Sequence, residues 1–247
     1  YEAVGVTHRE LDIEDFVAVS AFIKAIRPDY VLHCAAISNT GTCERNPVLS
    51  EKVNVRGTIN LAKACRNAGS RMIFTSSDQI YNTSHSLEPN REGSEGKPGN
   101  VYGRDKKRAE EAMLTYLPDA VALRLTWMYD APSRGRAAGQ GLLQKLADAL
   151  KDRREVEFPV HDYRGITYVW EVVRHLEEAM GLPGGVYNFG SENRYNTFDT
   201  ARLFLRELAG SDSGSILKCN DERFASCPRN LTMNTDKIRS HGIRFFN

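Results

Sequence analysis

The sequence predicts an α/β fold, a parallel sheet wound on both faces by helices, with a small C-terminal lobe. Three observations predict it. The first 130 residues alternate strand-like and helix-like segments. The strand-like ones are short continuous apolar runs, such as Tyr30-Val31-Leu32-His33-Cys34, the pattern of strands covered on both faces. The helix-like ones carry apolar residues three and four apart, as in Phe16, Val19, Phe22, Ile23 and Ile26.

Along the chain, Glu2 to Val6 reads as a short strand. Ile13 to Ile26 reads as an amphipathic helix stopped by Arg27-Pro28-Asp29. Tyr30 to Cys34 is the next strand. Asn46-Pro47 is a cap followed by a first-turn proline, and the helix it opens runs through Val53, Leu61 and Cys65 to a stop at Gly69. The strand Arg71 to Thr75 leads into Ser76 and Ser77. A helix, Tyr102 to Leu117, and a strand, Ala120 to Leu125, follow. Residues 131–139 have loop composition. Leu142 to Leu150 is a helix, Gly185 to Gly190 a last strand and Thr197 to Leu208 an amphipathic helix. The predicted boundaries are 1–130 and 166–190 for the sheet domain, and 131–165 and 191–247 for a lobe that closes over a ligand.

Composition narrows the function. A chain of 247 residues with 41% hydrophobic and 26% charged residues is ordinary for a globular protein. A net charge of +1 gives no reason to expect nucleic acid or an anionic membrane as partner. No apolar run reaches the length of a membrane span, and no signal peptide is visible. The five cysteines, Cys34, Cys43, Cys65, Cys219 and Cys227, are odd in number and lack metal-ligand spacing. They predict reduced thiols in a cytoplasmic protein with no metal site.

The chemistry concentrates at Ser77, Tyr102 and Lys106. Tyr102 and Lys106 are four apart on a predicted helix and so share a face. An ammonium beside a phenol is expected to lower the phenol's pKa. A hydroxyl from Ser77, at a strand end, would bind the oxygen that Tyr102 protonates. Such a set suits hydride and proton transfer at a C=O/CH–OH pair. By contrast, no glycine-rich pyrophosphate turn precedes residue 30. The expectation is a natural protein with roughly 25–35 further N-terminal residues, one strand–turn–helix unit.

Several motifs in order resemble the extended short-chain dehydrogenase/reductase family. They are Leu11-Asp12-Ile13, Cys34-Ala35-Ala36, Asn54-Val55-Arg56-Gly57-Thr58 and the set Ser77, Tyr102, Lys106. Within it, Ser76 to Tyr81, Arg124 to Tyr129 and Asp162 to Tyr168 are similar to segments of the dTDP-4-dehydrorhamnose reductases. Gln79, Ile166 and the loop Ser38 to Glu44 depart from that pattern.

The resemblance implies a Rossmann-type NAD(P)-binding domain and a reductase of a nucleotide-linked 4-keto sugar, with Tyr102 as proton donor, Lys106 on the nicotinamide ribose and Ser77 orienting the carbonyl. It implies cofactor contacts from Asp12, Ile13, Cys34, Ala35, Ala36, Asn54, Ser76, Tyr102, Lys106 and Leu125. Substrate contacts would come from Ser38, Thr40, Ser77, Asp78, Trp127, Arg164 and Arg229, the two arginines on the diphosphate. Bland alternatives stand beside these: Asp12 as a helix cap, Trp127 as core, the arginines as surface charges. Thr7 stands where an NAD-selecting fold places an acidic residue. His8 and Arg9 follow it, so NADP(H) is expected over NAD(H), with Glu10 as the opposing charge. A nucleotide-sugar epimerase, and a non-catalytic NADP-binding subunit resembling the regulatory subunit of methionine adenosyltransferase, are the alternatives. Gln79, where a dehydratase needs Glu, argues against dehydration. A homodimer is left open.

Overall fold

The computed structural model describes residues 2–86, 88–94, 96–130, 141–209 and 216–246; the predicted loop 131–139 lies outside them. In chain order the elements are α1 (Phe16–Ile26), β1 (Tyr30–His33), α2 (Thr40–Arg45), α3 (Pro47–Glu51), a π-helical turn (Lys52–Gly57), α4 (Thr58–Ala68) and β2 (Arg71–Ser77). A 3₁₀ turn (Asp78–Tyr81), α5 (Val101–Tyr116), β3 (Val121–Leu125) and β4 (Trp127–Tyr129) follow. Next come α6 (Leu142–Asp152), β5 (Val156–Pro159), β6 (Asp162–Arg164), β7 (Ile166–Tyr168), α7 (Val169–Arg174), α8 (Leu176–Met180) and β8 (Gly185–Phe189). The last are α9 (Thr197–Ala209), β9 (Leu217–Asn220), β10 (Arg229–Leu231) and α10 (Asp236–Ser240).

Contacts divide the chain into two compact units. One comprises Tyr1–Ile80, Lys97–Arg124 and Glu177–Tyr187; the other comprises Tyr81–Gly96, Leu125–Leu176 and Asn188–Asn247. These divisions differ from the boundaries read from the sequence, chiefly because residues 81–96 and 166–176 group with the second unit.

The main sheet has the order β1-β2-β3-β8. β1 and β2 pair in parallel, from Tyr30 opposite Arg71 to His33 opposite Phe74. All five residues of β3 are buried, as are Met72, Ile73 and Phe74 of β2. Double-sided burial explains their largely apolar runs, Arg124 of β3 being buried in an ion pair, whereas β1, read as covered on both faces, is exposed at Tyr30 and Leu32. Val19 and Ile23 of α1, Leu61 and Cys65 of α4, and Ala109 and Met113 of α5 pack with Met72, Phe74 and Ala122 into one core.

Local chemistry sets the element ends. α1 begins at Phe16, three residues later than predicted, because the Asp15 carboxylate accepts the backbone N–H groups of Val17 and Ala18. Asn46 caps α3 by accepting the Leu49 N–H, with Pro47 in the first turn. The helix predicted from Asn46 to Gly69 is continuous but widens at Lys52–Gly57 into a π turn, and Gly69 ends it at φ 73°. Glu2 to Val6, predicted as a strand, is exposed and forms none. A strand exists through its hydrogen-bonded neighbour, and none of the described strands pairs with this segment.

In the second unit, β4 pairs with β7, β5 with β9 and β6 with β10, each in parallel. α6 and α9 cover the β5–β9 pair with Leu142, Leu146, Ala201 and Leu205 against Val156 and Phe158. Residues 81–96 belong here because of Asn188, which is fully buried. Its side-chain amide donates to the carbonyls of Asn90 and Asn234, and its oxygen accepts the Tyr81 hydroxyl at 2.9 Å. No described helix is long and apolar enough to cross a membrane.

Arg71 fastens the start of β2 to its surroundings. Its guanidinium donates to the carbonyls of Asp119 (3.0 Å), Met180 (2.5 Å) and Leu182. Arg71→Ala is expected to lower unfolding free energy by about 1–3 kcal/mol, the scale of lost hydrogen bonds from a charged donor. Urea denaturation measures it, with an unchanged m-value expected.

Candidate active site

The site in the first unit is built where α5 starts. Asn100 caps this helix by accepting the Gly103 N–H at 2.7 Å, and its amide donates to Gln79 Oε1 at 2.9 Å. One side chain thus starts α5 and ties it to the turn after β2. The Val101 N–H, otherwise an orphan of the first turn, donates to Glu44 Oε1 at 2.6 Å. Gly103 lets the helix lie flush on that turn: a β-carbon there would collide with the Gln79 carbonyl oxygen. Tyr102, on the first turn, consequently comes near Ser77 at the end of β2, close enough for the Ser77 hydroxyl to favour the phenolate. The Ser77 hydroxyl also lies 3.3 Å from Asp78 Oδ1 and accepts the Gln79 N–H at 3.2 Å.

Lys106 stands one turn further along α5, 2% exposed. Its ammonium donates to the Thr75 carbonyl at 2.8 Å and lies 4.5 Å from the Phe74 ring and 5.8 Å from the Tyr102 ring. Burial pushes its pKa down to about 8, against the opposing charges of Glu110, Cys34 and Cys43. The expectation that Lys106 lowers the Tyr102 pKa is corrected here. Burial pushes the phenol up to about 12, with Asp78 and Cys43 adding to the rise and the Ser77 hydroxyl opposing it. Desolvation of the phenolate outweighs the nearby ammonium because Lys106 faces Thr75.

The Asn-Val-Arg-Gly-Thr segment explains itself residue by residue. Asn54 accepts the Ile37 N–H at 2.8 Å and donates to the Ile37 carbonyl at 3.1 Å and to Ser50 at 3.2 Å. It clasps the backbone just past Cys34-Ala35-Ala36. Ser50 in turn donates to Asp105, beside Lys106, at 2.6 Å. Gly57 leaves room for Ile13, whose Cδ1 would lie 2.5 Å from a β-carbon. Thr58 donates its hydroxyl to the Asn54 carbonyl at 2.8 Å and lies 3.0 Å from His33 Nε2. With the Thr58 proton already used, Nε2 is the donor in that contact.

The remaining sequence candidates divide clearly. Ile13 packs on the core, and its carbonyl accepts from Asn60 at 3.0 Å. Asp12 accepts the Glu14 N–H at 3.0 Å; the helix cap is Asp15, not Asp12. Cys34 and Ala35 are exposed and Ala36 half-buried beyond β1. Ser76 is buried, and its hydroxyl has no hydrogen-bond partner. Leu125 closes β3, buried. Ser38 and Thr40 are exposed where α2 begins. At the N-terminal turn, Thr7 gives its N–H and hydroxyl to Glu10 at 2.7 Å each, while His8 and Arg9 are exposed.

Three candidates lie in the second unit. The Arg164 guanidinium sits 4.7 Å from the Trp127 ring. Arg229 binds Asp162 with both arms, at 2.8 and 3.0 Å, and lies over Phe224 at 4.5 Å. That ion pair already fills the fork an anion would need. This unit also has a cleft of about 480 Å³ lined by His85, Tyr163, Arg194 and Tyr195 among others. None of Trp127, Arg164 and Arg229 lines it. All five cysteines are free thiols.

Sequence reasoning missed Glu44, Asn100 and His33. Asn100 had a local signal, an N-cap residue just before a helical run. Glu44 and His33 had none, because their partners lie 57 and 25 residues away.

The family described as RmlD substrate binding domain matches residues 1–245. The chain belongs to this family. The RmlD match agrees with the likeness to extended short-chain dehydrogenases/reductases. A dTDP-4-keto-6-deoxy-D-glucose reductase of Streptomyces niveus is 29% identical, over 97% of this chain and 82% of its own length. The methionine adenosyltransferase 2 subunit beta of Xenopus laevis is 27% identical, over 94% and 71%. Among solved structures, dTDP-4-dehydrorhamnose reductase from Bacillus anthracis in complex with NADP superposes with a TM-score of 0.87 at 19% identity, over 100% of this chain and 86% of that one. The RmlD fold, an α/β arrangement around a parallel sheet, is thereby shared.

His33 predicts a pH effect on stability. Burial pushes its pKa down to about 3, with the Lys106 charge adding to the fall. An unfolded histidine titrates near ~6.5. Between those values the unfolded chain holds the extra proton, so neutral buried His33 contributes stability above about pH 6.5 that is lost as pH falls through about 3. His33→Gln is expected to flatten the acid limb of a stability-versus-pH curve from denaturant melts. An unchanged limb would count against His33 as its source.

Proposed function

We propose that this chain is an NADP(H)-preferring reductase of a nucleotide-linked 4-keto sugar, related in chemistry to the Streptomyces niveus reductase. One observation carries the reading: Ser77 and Tyr102 lie near each other at the start of α5, with the Lys106 ammonium one helical turn behind. The residues fit a dinucleotide. Exposed Cys34 and Ala35 offer small side chains at a strand's carboxyl end, where open α/β sheets bind ligands, and Ser76 has a hydroxyl with no partner. Lys106, Ser76 and the Cys34-to-Ala36 backbone would hold the cofactor, with Asn54 fixing that backbone. The bound nicotinamide supplies the hydride.

Tyr102 keeps its proton up to about pH 12, so it is a loaded acid at neutral pH. It delivers that proton to the carbonyl oxygen. Ser77 donates a hydrogen bond to the same oxygen and steadies the charge growing there. Lys106, turned to the Thr75 carbonyl and away from the phenol, would serve by holding the cofactor. Asp78, Ser38, Thr40, Trp127 and Arg164 are the proposed substrate contacts; the Asp162 pairing weighs against Arg229. Gln79 gives an amide, not a carboxylate, beside Asp78 (3.4 Å), which favours reduction over dehydration. The subunit-beta relative favours a second reading, a non-catalytic NADP-binding subunit. Tight NADP binding without turnover of any dTDP-keto sugar would support that reading instead.

In the full-length protein, Tyr102→Phe is expected to lower kcat by roughly 10²–10⁴ with little change in NADPH affinity. The reduction rate should also fall as pH rises through about 8, where Lys106 loses its proton. Wild-type turnover in the Phe variant would refute the proton-donor role.

Cofactor choice has its own test. Thr7 offers no carboxylate of its own, and Arg9 is exposed beside it. Arg9→Ala is expected to weaken NADPH more than NADH in fluorescence titrations, since NADPH alone carries the 2′-phosphate. Equal losses would overturn the preference.

A further inference from the structure

We infer that Arg124 acts on the reaction as a positioning residue: by occupying the Glu110 carboxylate it leaves the Lys106 ammonium free to serve the cofactor. This deepens the reading of Lys106 given above and rests on it.

Lys106 and Glu110 are four apart on α5, and each is 2% exposed. Opposite charges at this spacing pair readily on a helix, and out of water their attraction is stronger still. They do not pair here. Lys106 gives its hydrogen bond to the Thr75 carbonyl. Glu110 turns both oxygens to Arg124, with Nε at 3.0 Å from Oε1 and Nη2 at 2.7 Å from Oε2. Arg124 projects from β3, and its planar fork matches a carboxylate at both oxygens, which a lysine cannot do.

The titratable groups facing Lys106 are His33 from β1, Cys34 just past it, Cys43 from α2, and Tyr102 and Glu110 from α5. Among these Glu110 alone carries a carboxylate, so the one anion able to capture the lysine is the one Arg124 holds. From its held position Glu110 still favours the charged form of Lys106 against burial. A direct salt bridge would instead turn the ammonium's donors away from the nicotinamide ribose.

The test compares Arg124→Met, Glu110→Gln and the double variant in the full-length protein. Three readouts apply: NADPH-dependent reduction of a dTDP-4-keto-6-deoxy sugar, NADPH binding by fluorescence, and protonation of Lys106 by competitive acetylation and mass spectrometry across alkaline pH. Arg124→Met should lose roughly 10²-fold in kcat/KM, on the scale of an acid–base contribution, bind NADPH more weakly and titrate Lys106 at higher pH. Adding Glu110→Gln should recover most of the loss when the rate is read at a pH where Lys106 remains protonated, because the captor is then neutral. A double variant no better than Arg124→Met shows a structural role and overturns the inference. Should Arg124→Met fail to fold, Glu110→Gln alone decides. It must shift Lys106 titration to lower pH, and an unchanged titration overturns the inference. Should the wild type reduce no keto sugar, the functional reading falls, while the acetylation readout still reports whether Arg124 governs Lys106.

Discussion

Burying the ammonium of Lys106 is the constraint on which the first unit's polar chemistry depends. A charge held 2% exposed must be compensated nearby. The compensation here is distributed: a backbone carbonyl at the end of β2, the face of Phe74, and a carboxylate kept one helical turn away. That carboxylate is itself buried and needs Arg124. Breaking such a pair by removing one partner costs about 3–5 kcal/mol, so the chain of charges is rigid. His33 is kept neutral by the same burial and the same ammonium.

The second constraint is geometric. Tyr102 and Ser77 come near each other from different elements, α5 and β2. Glu44 and Asn100 decide where α5 starts, and Gly103 decides how near it lies to the turn after β2. The orphan N–H groups of a helix start thus decide both how the helix is stabilised and where Tyr102 stands.

The second unit follows a different logic. Its strands pair in short parallel twos, and side-chain polar bonds reinforce the β6–β10 pair. Arg229 and Asp162 tie β10 to β6, and Thr197 adds a bond to the same carboxylate at 2.9 Å. Arginines that a sequence reading assigns to a diphosphate can thus be consumed by the fold. Arg164, stacked on Trp127, stays closer to the assigned role than Arg229 does.

The sequence by itself determined much of this protein. Apolar runs buried on both faces marked β2 and β3, and cap residues marked α3, α4 and the stop at Gly69. Spacing put Tyr102 and Lys106 on one face of α5, because the helical period is a local property. The tertiary structure alone decided the rest. Whether Glu2 to Val6 becomes a strand depends on a pairing partner, not on its own residues. Whether Lys106 lowers or fails to lower the Tyr102 pKa depends on which way the ammonium points and how deeply the phenol is buried. Whether Arg229 is free depends on Asp162, 67 residues away. Local periodicity is written in neighbouring residues, whereas burial, charge pairing and strand partnership arise between segments that meet only when the chain folds.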